Sequence, residues 1–113
     1  RSLCYVTDTV DGLVRALRMP AARDQVINIG NPDERTVLEF AGAVRRVASS
    51  DSPIVFVPHS VGDDPRRRCP DIGRARSLLG WTPRVPLDEG LARVCEWLRA
   101  AGDAQPVGVA TAG

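Results

Sequence analysis

Between positions 63 and 71 the chain gathers Asp63, Asp64, Arg66, Arg67, Arg68 and Asp71, with Pro65 and Pro70 among them. Each proline fixes its own φ and biases the residue before it toward extended conformations, so the stretch reads as an ordered loop. Consecutive guanidinium groups suit phosphate, because each is a planar fork of donors with a permanent charge. The competing reading is a solvated loop whose arginines pair with Asp63, Asp64 and Asp71, as charge runs commonly do. Asp63 and Asp64 do not read as an acid–base pair, since neighbouring arginines lower a carboxylate pKa and spoil a general acid. His59 is the one histidine. No carboxylate or nucleophile stands at a telling spacing from it, and it reads as a loop residue.

Residue types exclude other chemistries. Every one of the 15 basic residues is an arginine. Without lysine, these residues cannot supply a Schiff base, a Walker-type phosphate loop or a Tyr-x-x-x-Lys pair. Tyr5, the sole tyrosine, is followed four residues later by Thr9. Cys4, Cys69 and Cys95 are odd in number and lack metal-ligand spacing, so they read as reduced thiols of a cytoplasmic protein with no metal. A net charge of +1 argues against a nucleic-acid binder with a broad basic surface. No apolar run approaches the roughly 20 residues of a membrane span, and no signal peptide opens the chain. At 113 residues the expectation is a single small domain, and a start at Arg1 inside a strand-like run suggests a piece of something longer.

The elements that must carry the arginine loop follow from periodicity. Residues 2–6 form a short apolar and aromatic run suited to a buried strand. Thr7 and Asp8 then offer an N-cap to a helix over 8–18, with Val10, Leu13, Val14 and Leu17 at helical spacing. Residues 25–29 read as a second strand, closed by Gly30-Asn31-Pro32. Thr36 and Glu39 form a capping-box pattern ahead of a helix to about Ser49, striped by Val37, Phe40, Ala41, Val44, Val47 and Ala48. Residues 54–57 read as a third strand. Asp71 caps a short helix with Ile72, Ala75, Leu78 and Leu79 inward, and Gly80 is its left-handed C′ residue. Pro86 opens a last helix that buries Leu87, Leu91, Val94, Trp97 and Leu98. Trp81 and Trp97 read as packing residues. The domain spans 1–101; residues 102–113 lack periodicity and read as a disordered tail. The pattern is α/β, with short strands alternating with about four helices.

The order of these pieces resembles the NAD-dependent epimerase/dehydratase family, the extended short-chain dehydrogenase/reductases. Three stretches carry the resemblance: residues 1–13 (Arg-Ser-Leu-Cys-Tyr-Val-Thr-Asp-x-Val-Asp-Gly-Leu); the Asn28-Ile29-Gly30-Asn31-Pro32 turn; and Asp63-Asp64-Pro65-x-x-Arg68-x-Pro70-Asp71-Ile72 with the later Leu79-Gly80-Trp81-x-Pro83. It covers residues 1–99, and within the family the nearest likeness is to the decarboxylases of UDP-glucuronate. The resemblance implies the C-terminal, substrate-binding portion of a Rossmann-type enzyme. NAD and the catalytic Tyr-x-x-x-Lys would belong to a missing N-terminal half, leaving no cofactor and no catalytic residue on this chain. It further implies a UDP-sugar as ligand, and a homodimer for the whole enzyme. In such a decarboxylase the sugar is oxidised at C4 by NAD, CO2 leaves the β-keto acid, and the ketone is reduced.

Carried over residue by residue, the resemblance gives Arg1 and Arg68 contacts to the nucleotide-diphosphate, with terminal fraying the plainer reading of Arg1. Asn31, with Asn28, would shape the turn lining the substrate groove, unless it serves ordinary turn chemistry. Tyr5 would stack near the nucleotide, although a core aromatic is the simpler role. Arg66 and Arg67 fall at variable positions and read as solvated surface; Asp8 reads as a helix cap. The alternatives are another nucleotide-sugar epimerase or 4,6-dehydratase, and, in a different class, an anion- or RNA-binding module using residues 66–68. With a partner half absent, the outer faces of the first two helices are expected to be exposed.

Overall fold

A computed structural model describes residues 1–58 and 67–102. Four α-helices run in chain order: α1 (Val6–Arg18), α2 (Val37–Ala48), α3 (Gly73–Leu79) and α4 (Leu87–Ala100), with a 3-10 turn at Pro20–Ala22. Their ends follow local chemistry. Glu39 N–H donates to Thr36 Oγ1 at 3.1 Å while Thr36 N–H donates to Glu39 Oε2 at 2.8 Å, so the capping box closes reciprocally. At α3 the N-cap position falls on Ile72 and not on Asp71, which sits one residue earlier and accepts from Gly73 N–H through Oδ1 at 2.8 Å. Gly80 terminates that helix at φ +58°, where a residue without Cβ is favoured. Gly80 N–H donates to Arg76 O at 3.1 Å, the single-bond αL ending, and Trp81 N–H donates to Ala75 O at 3.2 Å.

The three runs expected as strands are not paired into a sheet. Among the described residues the run 2–6 contributes one antiparallel bridge, Ser2 to Glu34, and its Val6 opens α1. The runs 25–29 and 54–57 carry no ladder. A strand needs neighbouring backbone to take its N–H and C=O groups, and no such neighbour lies among these residues. Val26 and Phe56 are accordingly 79% and 80% exposed.

The core forms where α1 and the 3-10 turn meet α3. Ile72, Ala75, Leu79 and Trp81 are buried there, with Ala16, Ala22, Ile27 and Ile29 half-buried against them. The inward placement of Ile72, Ala75, Leu78 and Leu79 read from periodicity holds, and Trp81 is core. Gly12 makes the close approach possible: a Cβ there would stand 2.8 Å from Ile29 Cγ2 and 3.1 Å from Trp81 Cε2.

Asp8 corrects its expected role. Tyr5 occupies the N-cap position of α1 without a side-chain bond. Asp8 sits buried in the first turn, and its Oδ2 accepts from Arg84 N–H and Val85 N–H, each at 2.9 Å. Its backbone carbonyl accepts from Trp81 Nε1–H at 3.0 Å. The residue clasps the 81–85 turn onto α1 instead of capping its own helix. Arg15 adds to this seam: its Nη1 donates to the Gly80 carbonyl at 3.0 Å while its Nε pairs with Asp11.

A second layer, α2 on α4, is extensive in contact but buries few residues fully. Ala43 and Gly90 are its buried residues, and the Arg46–Asp88 ion pair at 2.8 Å joins the helices in solvent, where such pairs contribute about 0–1 kcal/mol. The expected inward face of α4 needs correction. Leu87 and Leu91 are half-buried, whereas Val94, Trp97 and Leu98 are exposed, Trp97 at 67%. Val37 and Val44 of α2 are likewise exposed. No helix among the described residues is long and apolar enough to cross a membrane.

Candidate substrate-side site

Three stretches distant in sequence converge on the Ser2–Glu34 bridge. Arg35 N–H donates to the Arg1 carbonyl at 2.7 Å, and the Arg1 nitrogen donates to the Arg35 carbonyl, which sets residues 1–3 beside 33–35. The incoming loop is held residue by residue. Arg67 pairs with both carboxylate oxygens of Glu34, Nε at 3.2 Å from each. Ser2 Oγ–H donates to the Arg68 carbonyl at 2.9 Å, and Cys69 Sγ–H to the Pro32 carbonyl at 3.4 Å.

Arg1 and Asn31 thereby line one narrow cleft, together with Leu3, Asp33, Arg35, Phe40 and Leu87. Asn31 Oδ1 accepts from Asp33 N–H at 2.9 Å, an Asx turn, so local turn chemistry and a place on the cleft wall coincide. Arg68 starts from a backbone tied to Ser2, the neighbour of Arg1. Asn28 lies elsewhere and donates from Nδ2 to the Asp71 carbonyl at 3.1 Å.

Tyr5 is not on this cleft. It lines an adjoining apolar cleft of about 150 Å³ with Leu3, Cys4, Phe40, Leu87, Gly90 and others of α4. Its ring lies against Gly90, where a Cβ would be 3.1 Å away, and the Arg93 guanidinium stands 5.3 Å from the ring centroid. The two clefts share Leu3, Phe40 and Leu87. Pockets for small molecules commonly enclose about 300–1,000 Å³, so these residues build part of a pocket.

Arg67 is solvated as expected, and its exposed guanidinium is also committed to Glu34. That pairing commits one arginine of the 66–68 run to the protein itself. No local spacing reveals a partner 33 residues away; the only hint is an acid placed in the Asn31-Pro32 turn. The Arg67 hydrogen bonds hold the Glu34 carboxyl below the usual glutamate range, and Glu34 in turn raises Arg67. The Thr36 backbone and hydroxyl donors lower Glu39 in the same way. A depressed carboxyl stabilises the fold above its ordinary pKa, and that contribution fades as pH falls through the lowered value. His59, Asp63, Asp64, Pro65, Arg66 and residues 103–113 lie outside the described residues. The three cysteines are unpaired, and no described group of three His, Cys, Asp or Glu could hold a metal ion. The sequence includes no lysine and no Gly-x-x-Gly-x-x-Gly run.

No protein-family model matches the chain. It is 44% identical over 97 residues to UDP-glucuronic acid decarboxylase 1 of Danio rerio, covering 86% of this chain and 22% of that protein. It is 47% identical over 91 residues to UDP-glucuronic acid decarboxylase 6 of Arabidopsis thaliana, covering 80% of this chain and 26% of the relative. The chain thus spans about a quarter of the length of the curated relatives it matches. Its fold is similar to that of a mutant UDP-glucuronic acid 4-epimerase from Bacillus cereus, solved in complex with UDP-4-deoxy-4-fluoro-glucuronic acid and NAD. The TM-score is 0.80 at 25% identity, over 89% of this chain and 32% of that one. Over most of its length the chain is therefore similar to part of the UDP-glucuronic acid decarboxylases and, in fold, to part of a UDP-glucuronic acid 4-epimerase.

Proposed function

We propose that this chain is the substrate-side portion of an NAD-dependent enzyme that converts UDP-glucuronate to UDP-xylose and CO2. The observation that carries the reading is that Arg1 and Asn31 line one cleft while the Arg68 backbone is tied to Ser2, the neighbour of Arg1. Two arginines approaching from different chain segments suit a diphosphate, whose charges two separate guanidinium forks can share. The cleft walls formed by Leu3, Phe40 and Leu87 are apolar and suit the flat face of a base or sugar ring. The open apolar surface on α1 and at 55–57 is what the remaining length of such an enzyme would cover. Binding, not turnover, is the role of these residues; the NAD loop and Tyr-x-x-x-Lys would come from the other half. The epimerase of similar fold supports a second reading, C4 epimerisation of the same kind of substrate. The higher identity to decarboxylases favours the first.

Titration calorimetry of the chain against UDP, UDP-glucuronate and a short RNA tests the binding role. Weak nucleotide binding is expected, since only part of the pocket is present, and Arg1→Ala or Arg68→Ala should weaken it further. RNA binding with a steep salt dependence and no response to UDP would overturn the reading. In the whole enzyme, CO2 release against formation of a C4 epimer separates the two reactions.

A further inference from the structure

Three successive loop residues are held by three different groups of the bridge: Arg67 by the Glu34 carboxylate, the Arg68 carbonyl by the Ser2 hydroxyl, and the Cys69 thiol by the Pro32 carbonyl. Ser2 and Glu34 are themselves backbone partners, so one pair of residues grips two neighbours of the loop. Glu34 is the anchored member, with a side chain 24% exposed against 81% for Arg67. The Arg67–Glu34 pair thus helps to set where the loop lies, on one side of the Arg68 backbone that Ser2 also holds.

We propose that Glu34, through its ion pair with Arg67, is a positioning residue for nucleotide-diphosphate binding. It holds residues 67–69 against residues 1–3 so that Arg1 and Arg68 face one ligand. The inference rests on the substrate reading above, and it assigns a role to two residues that need touch no substrate. Exposed ion pairs are individually weak, so the effect on affinity is modest, about two- to fivefold.

The test uses the whole chain and two readouts. In Glu34→Gln, amide hydrogen exchange at Arg68 and Cys69 should accelerate while exchange in α2 stays unchanged, and Kd for UDP should rise about two- to fivefold. Arg67→Glu should do the same. The double variant Glu34→Arg with Arg67→Glu should restore both readouts, which a merely structural role for the glutamate backbone would not produce. Unchanged exchange at 68–69 in Glu34→Gln, or a double variant as weak as the singles, overturns the proposal. Absence of UDP binding in the wild-type chain, with the exchange difference intact, overturns the substrate reading and leaves the ion pair as a loop tether only.

Discussion

α1 presents two faces, and their compositions are the reverse of what size and hydrophobicity suggest. The face turned to α3 and Trp81 is built from Asp8, Gly12 and the half-buried Ala16. The opposite face carries Val6, Val10, Leu13 and Leu17, between 50% and 88% exposed. The inner face is small because the Trp81 indole and Ile29 come too close for larger side chains. Its one carboxylate is tolerated because two backbone amides and no cation satisfy it. Burial on this helix is therefore decided by shape and polar satisfaction, while its larger apolar residues stay exposed among the described residues. An exposed stripe of this kind marks a contact face in a soluble protein.

The contrast predicts a graded set of responses to thermal or urea unfolding. Trp81→Ala should cost the most, about 3–5 kcal/mol, because it empties the centre of the packed seam and removes the bond to the Asp8 carbonyl. A loss below about 1 kcal/mol would show that the inner face is not the stabilising one. Asp8→Ala should follow at about 2–3 kcal/mol, since it strands the Arg84 and Val85 amides, and Asp8→Asn should recover part of that by keeping an acceptor. Equal losses for both variants would point to the carboxylate charge instead of its acceptor geometry. On the outer face, Leu13→Gln with Leu17→Gln should leave stability within about 0.5 kcal/mol. A large loss there would mean that the stripe is already covered in the chain.

Much of the helical framework was legible from short-range signals. The Thr36–Glu39 box, the Gly80 ending and the inward set Ile72, Ala75 and Leu79 each depend on residues within a few positions, where backbone geometry leaves few options. The motif order also pointed to the right relatives, because family resemblance is carried by residue identity and not by contacts. Less could be read where a partner lies far along the chain. Asp8 looked like a cap because Asp before an apolar run often is one, yet its acceptors serve amides 76 and 77 residues on. The apolar stripe of α4 was read as buried, but Trp97 and Leu98 have nothing above them among the described residues. Strand-like runs were recognisable as apolar and β-branched, while pairing needs a second backbone that composition cannot supply.

The same division holds at the candidate site. Arg1, Asn31 and Arg68 were singled out by residue type and by their places in motifs. The shared cleft of Arg1 and Asn31, the tie of the Arg68 backbone to Ser2, the separation of Tyr5 into its own cleft, and the commitment of Arg67 to Glu34 were decided by tertiary contacts alone. Sequence by itself determines helix starts and stops, because those bonds close within one turn. Which face of a helix is buried, and which arginine is tied down, depends on what the folded chain brings alongside.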